Sequence, residues 1–215
     1  YELTASRVYF THSGTRDAPI RLRAADFGDV EINSTAFEGF VISGDNWVIQ
    51  NLKINGVCQK HTQCEHALHL VGSNNITVYN NQFTNFNSII KANGTNQGGT
   101  RRYPDNVLIE RNNLYNTSPR RTHTAVTNID VVAGNDWVIR KNFIAANSKD
   151  GSDRTSYAAF IKGNAKRGLF DSNLVDCDYN LPQDNAIRVG LSFGGGGTGS
   201  AYCREGNCDV EHANG

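Results

Sequence analysis

The chain has 215 residues, 38% of them apolar, enough for one sizeable core in a single domain spanning residues 1–215. Its 21 basic and 21 acidic residues balance, which removes the basic excess of a nucleic-acid binder. No run approaches the roughly 18 consecutive apolar residues of a membrane span.

Self-similarity dominates the sequence. In chain order, "WVIQNLKIN" from Trp47, "ITVYNNQFTN" from Ile76, "VLIERNNLYN" from Val107, "WVIRKNFIAAN" from Trp137 and "GLFDSNLVDCD" from Gly168 superpose, at the spacing of roughly 20–50 residues typical of solenoids. Within each unit apolar and polar residues alternate, as in Ile76 and Val78 or Val107 and Ile109, the period of a strand. An Asn recurs at Asn81, Asn112, Asn142 and Asn173. Asn tolerates turn geometry and can bond the Asn of the next unit, so a stacked ladder is expected. Short strands stacked turn upon turn give an all-β fold, a single-stranded right-handed parallel β-helix (solenoid). Helical periodicity of useful length is absent.

A second strand precedes each later unit: "HALHLVG", "SIIKANG", "NIDVVAG", "AAFIKGN" and "AIRVGLS". Aligned by their apolar step, they pair Leu68-His69, Ile90-Lys91, Ile129-Asp130, Ile161-Lys162 and Ile187-Arg188. Neighbouring strand residues face opposite ways, so His69, Lys91, Asp130, Lys162 and Arg188 would form one outward ladder. The plain reading is an alternating charge ladder that steadies a sheet face. The functional reading is binding of, or catalysis on, an anionic sugar. The neighbouring charges of Lys91 and Lys162 would favour the ionised form of Asp130, and His69 is the candidate for proton transfer because an unperturbed histidine titrates near neutral pH.

Arg101-Arg102 and Arg120-Arg121 fall in inserted loops, "GTNQGGTRRYPDN" and "NTSPRRTHT", where guanidinium forks could hold carboxylate or sulfate groups along a groove. Tyr103, Tyr157 and Tyr202 are candidate stacking platforms. "KDGSDRTSY" lacks full calcium-loop spacing, and "SFGGGGTG" over residues 192–199 is a flexible glycine run without the Lys-Ser/Thr context of a phosphate loop.

Five cysteines include two close pairs, Cys58 with Cys64 and Cys203 with Cys208, leaving Cys177. Such spacing suits disulfides in an oxidising compartment, and hence a secreted or extracellular setting, periplasm and cell surface included. A competing pattern, "C-x2-H-x2-C-x-H" across Cys58, His61, Cys64 and His66, would bind zinc if the thiols were reduced. Sequons begin at Asn33, Asn75, Asn93 and Asn116. The chain opens at Tyr1 and has no Met, so a processed chain or part of a longer one is expected.

The repeats resemble right-handed parallel β-helix proteins, and "SGTRDAPIRLRA", residues 13–24, is similar to the opening turns of secreted polysaccharide lyases of the chondroitinase B-like and alginate lyase-like kinds. The resemblance implies β-elimination on an acidic polysaccharide, with a cation, calcium among the candidates, neutralising the uronate carboxylate and a basic residue moving the proton. Lys162, on a strand before an Asn turn, matches that basic residue, whereas the acidic Glu-x-Glu calcium strand of those lyases has no match. The Asp-Asp pair and Gly-His-Gly of polygalacturonase-like enzymes and the pectate lyase-like "W-x-D-H" are also absent. Hydrolysis by paired carboxylates is disfavoured, since the ladder offers only Asp130, with Glu65 and Asp178 as distant candidates for its partner. The alternative is a non-catalytic structural or adhesive solenoid, stacking end to end with copies of itself.

Overall fold

A computed structural model describes residues 1–195, 199–206 and 208. The chain winds as a parallel β-helix whose wall consists of three sheets. One sheet contains Glu2–Leu3, Val30–Ser34, Leu52–Gly56, Gln82–Thr84, Asn113–Tyr115, Phe143–Ala145 and Leu174–Asp176. A second, which forms the floor of the candidate site and is called the site sheet, contains Val8–Phe10, Glu38–Ile42, His66–Val71, Ile90–Asn93, Thr127–Val132, Thr155–Lys162 and Ile187–Phe193. The third contains Ile20–Arg23, Trp47–Gln50, Ile76–Tyr79, Val107–Glu110, Trp137–Arg140 and Leu169–Asp171.

Period-two patterning becomes stacking in register. Trp47, Ile76, Val107 and Trp137 are successive partners in the third sheet, and all four are buried in the core. On the site sheet the inward column runs Phe40, Leu68, Ile90, Ile129, Ala159. Between the third and first sheets the chain turns through left-handed residues, Asn51, Asn80, Arg111, Lys141 and Ser172, at φ of 54–62°. The side chain that follows each later turn is the expected Asn, and Asn81, Asn112, Asn142 and Asn173 bond one to the next at 2.9–3.1 Å.

Both expected disulfides are present, Cys58–Cys64 and Cys203–Cys208. The first overturns the zinc pattern, since neither Cys58 nor Cys64 keeps a thiolate for a metal. It closes an excursion between Leu52–Gly56 and His66–Val71, fixing the chain two residues ahead of His66. Residues 196–198 of the glycine run lie outside the described residues. No helix among those described is long and apolar enough to cross a membrane.

The outward ladder holds in its middle and slips toward its end. His69, Lys91 and Asp130 are successive partners, but Asp130 meets Phe160, and Lys162 stands opposite Val132. The core position beside Ile129 is filled by Ala159, not Ile161. Two small residues in a row, Ala158 and Ala159, both fully buried, hide the apolar step that the alignment relied on. Arg188 leaves the ladder altogether. It pairs with Ser156, its side chain is 7% exposed, and it bonds Asp178 and Asp184 at 2.7 Å.

Candidate functional site

A groove of about 600 Å³ lies on the outer face of the site sheet, lined by His69, Lys91, Asn93, Asp130, Lys149, Asp153, Tyr157, Phe160, Lys162 and Tyr202 among others. The fold brings together the three residues expected to act, Lys162, His69 and Asp130, with Lys91 among them. Lys91 Nζ lies 2.7 Å from Asp130 Oδ2. The carboxylate is almost wholly buried, and its Oδ1 has no hydrogen-bond partner. Lys162 is buried, with its ammonium 4.3 Å from the centre of the Phe160 ring, a cation–π distance. Tyr157 packs edge-on against the same ring, 5.2 Å away.

Lys149 and Asp153, from the stretch weighed as a weak calcium loop, instead form an ion pair of 2.9 Å at the rim. The hydrogen bond from Lys149 holds the Asp153 carboxyl below the ordinary carboxylate range.

His69 is more confined than an outward ladder residue would be. Its Nε2 lies 2.7 Å from Asn93 Oδ1, and its Nδ1 lies 3.4 Å from Glu38 Oε2. Arg7 Nε is 2.8 Å from the same carboxylate oxygen. Contact with His69, and with Arg7 after the cost of burial, holds Glu38 down to about 2, so it is ionised at neutral pH. The His66 ring stands 5.1 Å from that of His69. Burial pushes His66 down to about 4, leaving it neutral at pH 7. Asn93, a sequon position, is itself buried and spent on His69 and on the Gly94 carbonyl.

The loop arginines lie elsewhere. Arg101 and Arg102 end the hairpin of Thr95–Gln97 and Thr100–Arg102, and Arg102 pairs with Asp45 at 2.6 Å. Arg120 is buried, bonding Asn87 and the His61 carbonyl, and burial pushes it down to about 10. Arg121 meets Asp150 at 3.2 Å in a separate cleft with Lys60 and His61. None of these four, nor Arg188, lines the groove.

The sequence reading missed Glu38, Lys149 and Phe160. Glu38 is the direct partner of His66 on the neighbouring strand. A search one rung back from "HALHLVG" would have found it.

No protein-family model matches the chain, and no curated protein matches it. Among solved structures it is similar to the alginate lyase from Paenibacillus sp. str. FPU-7, at 12% identity and a TM-score of 0.49, over 81% of this chain and 68% of that one. The stacked parallel sheets by themselves define the class, a parallel β-helix. The likeness to the Paenibacillus protein assigns no role to any residue.

Proposed function

We propose that this protein binds an acidic polysaccharide in the groove over the site sheet and cleaves it by β-elimination. The observation that carries the reading is the gathering of Lys91, Lys149 and Lys162 with Tyr157 and Tyr202 along one open groove, cations for uronate carboxylates beside aromatic faces for sugar rings. In β-elimination the proton beside the carboxylate is removed, the double bond forms, and the glycosidic oxygen leaves with a proton. Lys91 or Lys149 would neutralise the carboxylate. Lys162 and Tyr157, 4.3 Å and 5.2 Å from the Phe160 ring, are the candidates for taking and giving the proton. Asp130, bonded to Lys91 at 2.7 Å, would hold that ammonium in place. His69 is less suited to proton transfer than the sequence implied, because its Nε2 is committed to Asn93. A secreted setting is consistent with the two disulfides.

The test is the ultraviolet absorbance of the unsaturated uronyl product during incubation with alginate, chondroitin and pectate, with and without calcium. A rise that Lys162→Ala and Tyr157→Phe each reduce by about 100-fold, at unchanged unfolding midpoint, is expected. Salt-sensitive retention on these polymers without any product would leave binding and remove catalysis. Indifference to all of them would sink both and favour the structural solenoid.

A further inference from the structure

We propose that Glu38, His66 and His69 form a binding site for a divalent first-row transition ion such as Zn²⁺, held by Nε2 of His66, Nδ1 of His69 and a carboxylate oxygen of Glu38. The inference stands apart from polysaccharide cleavage and rests on how the hydrogen bonds of the two rings fix their tautomers.

His66 Nδ1 lies 2.9 Å from the Ser88 carbonyl. A carbonyl only accepts, so Nδ1 carries the hydrogen and Nε2 keeps its lone pair. His69 Nε2 lies 2.7 Å from Asn93 Oδ1, and the same amide donates its Nδ2 to the Gly94 carbonyl, which sets its orientation. His69 therefore donates from Nε2, and its Nδ1 faces inward. That atom is buried and makes no well-aligned hydrogen bond, with Glu38 Oε2 3.4 Å away. Two acceptors outside the cluster thus hold each ring by its other nitrogen, the arrangement that orients metal-binding imidazoles.

The distances agree. One donor atom from each of the three residues falls within 4.8 Å of the others. Ligands at about 2.0–2.2 Å in a tetrahedral shell stand about 3.4 Å apart, and His69 Nδ1 is 3.4 Å from Glu38 Oε2. The closure still required between any two donor atoms is at most about 1.4 Å, within the reach of small side-chain rotations. Two imidazoles and one carboxylate favour zinc, copper or nickel over calcium or magnesium, which prefer all-oxygen shells. Three protein ligands leave a fourth position for water or substrate, and one of the three, His69, also lines the groove.

Strict alternation would put His66 and His69 on opposite faces of their strand. The two rings nonetheless stand 5.1 Å apart and share Glu38, because the ladder is irregular between them: the Ala67 and Leu68 amides both donate to the Ile89 carbonyl at 3.0 Å. The Cys58–Cys64 disulfide fixes the chain just ahead of this irregularity, and Arg7 holds the carboxylate from outside. The charge of Arg7 opposes that of the ion and sets a weaker affinity than a neutral surround would give.

The test is calorimetric titration of tag-free protein, stripped with a chelator, with Zn²⁺, and the visible spectrum on addition of Co²⁺. One ion per chain is expected, with a Co²⁺ spectrum of low-coordinate nitrogen and oxygen ligation. His69→Gln, Glu38→Gln and His66→Gln should each weaken binding at least about tenfold, and Asn93→Ala about 10–100-fold through loss of the tautomer lock. His123→Gln, on an exposed turn, should leave it unchanged. Should His66→Gln fail to fold, His69→Gln and Glu38→Gln, each checked by its unfolding midpoint, decide the matter. Wild-type protein that binds no ion, or binding undiminished in both of those variants, would overturn the site.

Discussion

Asn112 shows how one residue type holds the wall together. Its side chain donates to the carbonyls of Val78 and Glu110 and to Asn142, and it accepts from both the backbone and the side chain of Asn81, all at 2.9–3.1 Å. Removal leaves at least two buried polar partners unsatisfied. Asn112→Ala should therefore lower stability by roughly 2–4 kcal/mol, read from the shift in urea midpoint at constant slope. This column was legible because Asn repeats at a fixed place in each unit. The left-handed residue before it was not, since Asn, Arg, Lys and Ser all occupy that place. Cys177 gives a second residue-scale prediction. Burial, then the Asp178 carboxylate, pushes its thiol above the ordinary value of 9.0. The folded value lies above the unfolded one, so the protonated thiol is favoured in the native state, and that contribution is lost as pH rises through the folded value. Alkylation by iodoacetamide should be slower than for a free cysteine peptide at about pH 8.5, and should accelerate only at higher pH. Equal rates at both values would count against the burial.

Between elements, the Lys91 and Asp130 pair joins strands Ile90–Asn93 and Thr127–Val132 on the groove floor. Lys91 is 21% exposed at its side chain and Asp130 only 5%, so the cost of losing the pair falls on the carboxylate. Lys91→Met should destabilise by about 2–3 kcal/mol, below the full penalty of roughly 3–5 for a buried pair because the groove admits water. Lys91→Met with Asp130→Asn should recover most of that loss in a double-mutant cycle. An additive double variant would mean that the two side chains do not depend on each other. The sequence placed these two residues side by side because clear apolar steps, Ile90 and Ile129, flank them. Register was lost one strand later, where Ala158 and Ala159 blur the step, and again at Arg188, whose neighbour Ile187 is exposed rather than core-facing. The metal cluster was unreadable for a related reason. His66 and His69 meet although three residues separate them, and strict alternation does not anticipate the shared Ile89 carbonyl that breaks the regular ladder at Ala67 and Leu68.

Across the whole molecule, a solenoid distributes stability by neighbours, since each turn packs only on the turns before and after it. In the middle, Leu68, Ile90 and Ile129 are sealed from both sides at 0% exposure. In the last strand of the site sheet, Leu191 and Phe193 pair with the core residues Ala159 and Ile161 yet remain 40% and 48% exposed. Ile129→Ala should then cost about 2–5 kcal/mol, while Leu191→Ala should cost under about 1 kcal/mol, because half-exposed carbon already meets water. Native-state hydrogen exchange should show the same gradient, with amides of Ile90–Asn93 and Thr127–Val132 opening only by global unfolding and those of Ile187–Phe193 opening first. A uniform profile would mean that further turns, or a second copy of the chain, cover that end in solution. Concentration dependence of the Ile187–Phe193 amides separates the two, because protection supplied by a second copy fades on dilution and protection within one chain does not.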